Sequence, residues 1–254
     1  MSTQDIYSDD FYRKIDVQGQ TSARVIVPWI MKWHPVQSVL DVGCGQGAWL
    51  SVFRELGVST IRGIDGPWVD LKQLMIPPEA FTSARLDTMT SQSIDLGAYD
   101  LSVCLEVGEH IPTNQSGTLV EILTRSAPVV LFSAAIPGQQ GTYHINEQWP
   151  EFWQELFANR GYTRLDPLRP RIWRDDRVAW FYQQNIFVFV SQEALKASSV
   201  WQDEDRLARS SPLTLIHPKV LRPQRTLREA IRHLPGLLSE AIQRRLKKRT
   251  ANPQ

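Results

Sequence analysis

The chain has 254 residues, a formal net charge of +1, 42% hydrophobic and 22% charged residues, a balance that excludes a largely disordered chain and a generic polyanion binder. Its two cysteines, Cys44 and Cys104, are too few for a disulfide scaffold and sit in apolar segments, so they read as reduced thiols of a cytoplasmic protein. The first residues, MSTQDIYSDDFYRK, lack the pattern of a signal peptide, and the longest apolar stretch, Val129 to Ile136, is far short of the roughly 20 residues of a membrane span.

In chain order, Val25, Ile26, Trp29, Ile30 and Trp33 recur at helical spacing and predict a helix over Thr21–Trp33. Ser38–Val42 reads as a first strand, followed by a glycine loop and a helix through about Leu56. Thr60–Ile64 predicts a second strand, Ala84–Leu86 a weak third, and Leu101–Leu105 a fourth. A helix follows near Gln115–Ser126, then a fifth strand over Val129–Ala134. Pro150–Arg160 predicts a helix, Tyr162–Leu165 a sixth strand and Asn185–Val190 a seventh. Short apolar strands alternating with amphipathic helices predict an α/β fold with a mostly parallel sheet covered on both faces. The two late strands predict antiparallel pairing at one edge. The organisation predicted is an N-terminal helical cap over 1–35, a main domain over 36–191, and a linker with a basic tail over 192–254.

That tail differs in charge from the rest. From Lys219 onward there are ten basic residues and two acidic ones, a charge of +8, so the remainder of the chain carries −7. Leu227, Ile231, Leu234, Leu238, Ile242 and Leu246 form a stripe at steps of three and four, interrupted by Pro235. The tail therefore reads as a basic amphipathic helical appendage, suited to an anionic membrane surface or a protein partner, or to packing on the acidic body.

The glycine loop, Asp41-Val-Gly43-Cys44-Gly45-Gln-Gly47, joins the first strand to a helix, where glycines let the backbone turn tightly and approach a ligand. Gly43, Gly45 and Ala48 also fit a dinucleotide-binding spacing, which leaves an NAD(P)-dependent oxidoreductase open. Asp41 favours another ligand, because a carboxylate beside the loop repels a pyrophosphate and suits an ammonium group. Asp65 ends the second strand, where a carboxylate can accept ribose hydroxyls.

VLDVGCGQGAWL, the acidic residue of GIDG and the later DLSVCLEVGEHIP resemble class I S-adenosylmethionine-dependent methyltransferases over about residues 36–190. The resemblance implies a Rossmann-like, seven-stranded sheet with the last strand antiparallel and helices on both faces. It implies that Asp41 and the loop of Gly43, Cys44, Gly45 and Gly47 hold the methionine part of S-adenosylmethionine. Asp65, with Gly66 beside it, would hold the ribose and Asp87 the adenine amino group. Leu105 and Glu106, ending the fourth strand, would complete the cofactor contacts.

Glu106, Glu109 and His110 lie just past that strand, at the edge where α/β sheets bind ligands. The loop after the fifth strand, SAAIPGQQGTYHINEQWP, carries His144, Asn146 and Glu147 and is expected over the same cleft. Two carboxylates and two imidazoles, from Glu106, Glu109, His110 and His144, can hold a divalent ion: the carboxylates suit Mg²⁺ or Mn²⁺, and the imidazoles make room for Mn²⁺, Fe²⁺, Co²⁺ or Zn²⁺. The E-x-x-E-H run with a later histidine resembles metal-dependent methyltransferases that act on adjacent hydroxyls, such as small-RNA 2′-O-methyltransferases and ubiquinone-pathway O-methyltransferases. A metal-free alternative makes His110 or His144 the general base, and a third has Glu109 and His110 simply capping the loop.

Nine tryptophans are many for this length, and Trp149, beside the histidine loop, is the better ligand candidate than Trp153 on its apolar helix face. The FSAAIPGQQGTYHINEQW and WFYQQNIFVFV runs resemble bacterial methyltransferases of cell-surface glycan or secondary-metabolite pathways. The expected reaction is O-methylation of a small-molecule or glycan hydroxyl, without nucleic acid as the partner. A non-enzymatic membrane- or RNA-binding module with a vestigial cofactor fold is the remaining alternative.

Overall fold

The central strands are runs of five apolar-rich residues, the pattern of strands buried on both faces. In the computed structural model, which describes residues 9–90 and 96–221 with side chains from 17 to 220, these runs assemble into one sheet. Its strands are β1 (Ser38–Val42), β2 (Thr60–Asp65), β3 (Phe81–Ser83), β4 (Leu101–Leu105), β5 (Val129–Ser133), β6 (Tyr162–Leu165) and β7 (Phe187–Ser191). They lie in the order β3-β2-β1-β4-β5-β7-β6. Neighbours from β3 through β5 are parallel, whereas β7 is antiparallel to both β5 and β6. The predicted Rossmann-like sheet with an antiparallel last strand is therefore present.

Alternation along each strand feeds two separate cores. Val129 and Leu131 of β5 join Val39, Leu101, Val103 and Val188 on one face. That face is covered by α1 (Asp9–Trp33) and α2 (Ala48–Glu55). Val130 and Phe132 point the other way, into α3 (Ser116–Ser126) and α4 (Pro150–Ala158). Helical spacing explains α1, whose Ala23, Ile26, Val27 and Ile30 are fully buried. On the opposite face Phe157 of α4 stacks on Phe189 of β7 at 3.8 Å.

Two short helices, α5 (Arg169–Ile172) and α6 (Trp180–Asn185), connect β6 to β7. The seventh strand thus begins at Phe187, because Gln183, Gln184 and Asn185 are helical and buried rather than extended. The third strand is Phe81–Ser83, not Ala84–Leu86. Its register on β2 ends at Asp65↔Ser83, so the ladder stops where β2 stops, a limit that local propensity does not carry.

After β7 the chain forms α7 (Gln192–Ala197) and α8 (Ser199–Ala208). Trp201 of α8 is fully buried, with its ring 6.1 Å from that of Trp33. Truncating a tryptophan so buried costs about 3–5 kcal/mol. One compact unit runs to His217, and a second unit starts at Pro218, of which α9 (Pro218–Leu221) is described. The Leu227–Leu246 stripe lies outside the described residues. Among those that are described, no helix is long and apolar enough to cross a membrane. The parallel strands bring the segments after β1, β2, β4 and β5 to one carboxyl edge, where α/β sheets bind ligands.

Candidate active site

Gly43, Gly45 and Gly47 all have positive φ, from 55° to 86°, so the loop after β1 takes a path that other residues follow only with strain. At Gly43 there is also no room, since a methyl group there would lie 2.3 Å from Val107 Cγ2. Cys44 directs its sulfur inward, so close to Gly63 that a Cβ there would meet it at 2.6 Å. The Cys44 side chain is therefore core, and only its backbone is available to a ligand. Leu105 is likewise buried in the sheet core.

Asp65 ties the first two loops together. One carboxylate oxygen accepts from the Gly45 amide at 2.7 Å, the other from the Gly66 amide at 2.6 Å. Burial raises its pKa, and these two amides and the Trp68 side chain oppose the rise. Three donors leave about one of the carboxylate's four lone pairs for a ribose hydroxyl. The Trp68 ring lies against Gly66, where a Cβ would fall 2.1 Å from it. Asp41 is buried, and its pKa is pushed well up by burial and then by the charge of Asp65. A cationic ligand group beside it would relieve both effects. These features match what the ammonium and ribose of S-adenosylmethionine require. Asp87 is half-buried and held by a two-pronged bond from Arg85, at 3.1 and 2.6 Å.

The loops after β4 and β5 are fastened by Asn146, which is 1% exposed. Its side-chain amide donates to Gly108 O and Ser116 Oγ, and its oxygen accepts from Thr113 and Gln148. The Ile145 and Asn146 amides both donate to Glu109 O. This stitching brings the two predicted histidines together, with ring centroids 5.0 Å apart and edge to face. Gly108 leaves space for Trp153, whose ring a Cβ would meet at 2.6 Å, so Trp153 is core, as its helix face indicates.

Glu109, His110 and His144 each offer an atom that could bind a cation, and these atoms lie within 4.8 Å of one another. Glu109 is completely buried, and neither carboxylate oxygen has a hydrogen-bond partner of ordinary geometry. Burial, then the charge of Glu106, pushes its pKa well above the carboxylate range, which the nearby amides of Glu109 and Ala135 only partly offset. His110 Nδ1 lies 3.2 Å from Tyr143 O. A carbonyl can only accept, so Nδ1 carries the hydrogen and Nε2 the lone pair. Burial and then His144 lower the His110 pKa to about 4, which keeps the ring neutral near pH 7. His144 Nδ1 lies 3.0 Å from Glu147 Oε1.

Glu106, expected as a fourth ligand, stands outside this group of three. It has φ 54°, and its carboxylate accepts from Gln139 at 3.0 Å and from Asn185 at 3.1 and 3.3 Å. A carboxylate so occupied is held by amides rather than left for a metal. Gln139 and Gln184 extend this buried network, and Gln184 Oε1 accepts from the His217 amide. Three partners carry no role from sequence: Gln139, Asn185, 79 residues from Glu106, and Glu147.

A family model described as a methyltransferase domain matches residues 23–175. No curated protein sequence matches the chain. Among solved structures, the chain is similar to an S-adenosylmethionine-bound amino pentose methyltransferase of calicheamicin biosynthesis from Micromonospora echinaspora. That likeness has 14% identity and a TM-score of 0.53 over 73% of this chain and 98% of that one. It is also similar to the magnesium protoporphyrin IX methyltransferase of Synechocystis PCC 6803 with bound S-adenosylmethionine. Here identity is 20% and the TM-score 0.50 over 74% of this chain and 88% of that one. With the matched domain spanning more than half of it, the chain belongs to the class I S-adenosylmethionine-dependent methyltransferase family.

Proposed function

We propose that the protein transfers the cofactor's methyl group to a hydroxyl oxygen of a small molecule or glycan, with a divalent cation held by Glu109, His110 and His144. The observation that carries this reading is Glu109, a fully buried carboxylate whose oxygens have no hydrogen-bond partner of ordinary geometry, grouped with two imidazoles. An unpaired buried carboxylate is costly, and a cation removes that cost. One carboxylate with two imidazoles suits Mn²⁺ better than the oxygen-preferring Mg²⁺, and such an ion would supply the Lewis acidity that lowers the pKa of the acceptor hydroxyl.

The chain's own residues do the rest by placement. Asp65 and the loop from Gly43 to Gly47 hold the cofactor, and Asp41 faces its ammonium group. Asp87 would receive the adenine amino group. Tyr143, Ile145 and Trp149, 51%, 49% and 43% exposed, form an apolar rim on the histidine loop against which a sugar or flat acceptor can lie. The sulfonium methyl is already activated, so positioning and proton removal are the protein's main tasks.

One observation favours a second reading, in which His144, paired with Glu147, removes the hydroxyl proton without a metal. His110 is a poor base at neutral pH, since its pKa lies at about 4. Chelation separates the two. Under the first reading a chelator abolishes methyl transfer to a hydroxylated acceptor, and Mn²⁺ or Mg²⁺ restores it. Undiminished transfer in chelator overturns the cation and leaves His144 as the base.

A further inference from the structure

Glu147 is a polar hub to which the metal-assisted reading above gives no role. One carboxylate oxygen accepts from the Gly138 amide at 2.7 Å, the other from the Gln140 amide at 3.1 Å. The second oxygen also meets His144 Nδ1 at 3.0 Å. The loop it closes is strained, with Gln140 and Tyr143 both at positive φ. His144 packs so tightly over Gly141 that a Cβ there would lie 2.1 Å from Nε2. A carboxylate is an acceptor only, so the hydrogen of this bond belongs to the imidazole.

We infer that Glu147 is a positioning residue that holds His144 as the Nδ1–H tautomer, so that Nε2 is the ring nitrogen left with a free lone pair. A tautomer is set by the partner of the other ring nitrogen, and histidines that bind metals or act as bases depend on such a partner. The same two amide bonds fix the loop that carries the ring. The inference deepens the proposed function and rests on His144 acting at the reacting centre.

The test is nitrogen NMR of the full chain labelled with ¹⁵N-histidine, at pH about 8.5, where histidine is neutral. His144→Gln identifies the His144 signals. The wild type is expected to show Nδ1–H for His144. Glu147→Ala should move it toward Nε2–H, and Glu147→Gln, which keeps one acceptor oxygen, should give an intermediate population. Mn²⁺ binding followed by electron paramagnetic resonance should weaken by about 10–100-fold in Glu147→Ala. A residue that only closed the loop would lower thermal stability without changing the tautomer. Nε2–H in the wild type, or an unchanged Nδ1–H in Glu147→Ala, overturns the inference. If Glu147→Ala does not fold, the wild type and Glu147→Gln decide it in the same way. Nδ1–H in the wild type, without Mn²⁺ binding and with full methyl transfer in His144→Gln, overturns the proposed function instead and leaves the Glu147 assignment standing.

Discussion

The two ends of the cleft solve the problem of buried carboxylates differently. At the β1–β2 end, Asp65 is satisfied within the chain, because the backbone amides of Gly45 and Gly66 reach its two oxygens. At the β4–β5 end, Glu109 is also buried, and the nearby amides of Glu109 and Ala135 do not reach its oxygens in ordinary hydrogen-bond geometry. A satisfied carboxylate can be rigid before a ligand arrives, and a remaining lone pair then selects a hydroxyl. An unsatisfied one stores a free-energy cost that a cation or a proton must remove. The first end settles its carboxylate with its own amides, and the second does not.

The sharpest way to break this contrast is Glu109→Gln. Methyl transfer should fall by about 10³-fold, the loss of several kcal/mol of charge stabilisation, while S-adenosylhomocysteine affinity by calorimetry stays unchanged. Equal rates for variant and wild type would make the two ends alike. Asp65→Ala probes the other end. It should weaken S-adenosylhomocysteine by about 1–3 kcal/mol, since hydrogen bonds to the ribose and to both loop amides go together. Unchanged affinity would remove Asp65 from the site.

A third expectation concerns pH. The folded-state pKa of Glu109 is raised, so its protonated form is favoured by folding. Stability from this group is fully present below the unfolded carboxylate value, about 4.3, and is lost as pH rises toward the raised folded value. In chelator, the thermal midpoint of Glu109→Gln should therefore decline less from mildly acid to neutral pH than that of the wild type. Mn²⁺ should close the gap at neutral pH. Parallel curves with and without Mn²⁺ would show that Glu109 carries no such cost.

Gly141→Ala should have a milder effect. Its methyl group displaces the His144 ring and should reduce methyl transfer about 10-fold at unchanged cofactor affinity, which rates and calorimetry together would check. The smallest effect at the cleft is expected from deleting residues 222–254. Cofactor affinity should not move, while binding to anionic vesicles at low salt should disappear with the basic tail. Vesicles ignored by the full-length chain would exclude a membrane role for it.

The central sheet was legible because both of its faces are buried, which writes β1, β4, β5 and β7 as apolar runs regardless of their neighbours. The glycine loop was legible for a similarly local reason: positive φ angles and the absence of space at Gly43 demand glycine whatever the ligand. His110 and His144 could be placed at one edge, since parallel strands put every following loop there. What sits next to each polar group was a different matter. Glu106 and Glu109 are three residues apart and of one chemical type, yet Asn185 and Gln139 hold the first while the second has no partner of ordinary geometry. Those amides come from helix α6 and from the loop after β5, and no spacing along the chain relates them to Glu106. The pairing of Glu147 with His144 needed the closed loop, and the start of β7 needed the register on β5. Sequence alone determined which residues are apolar, glycine or charged at each strand end, because those choices are local. The tertiary structure alone decided which buried charges are neutralised, because solvation and hydrogen bonding depend on every element that packs around them.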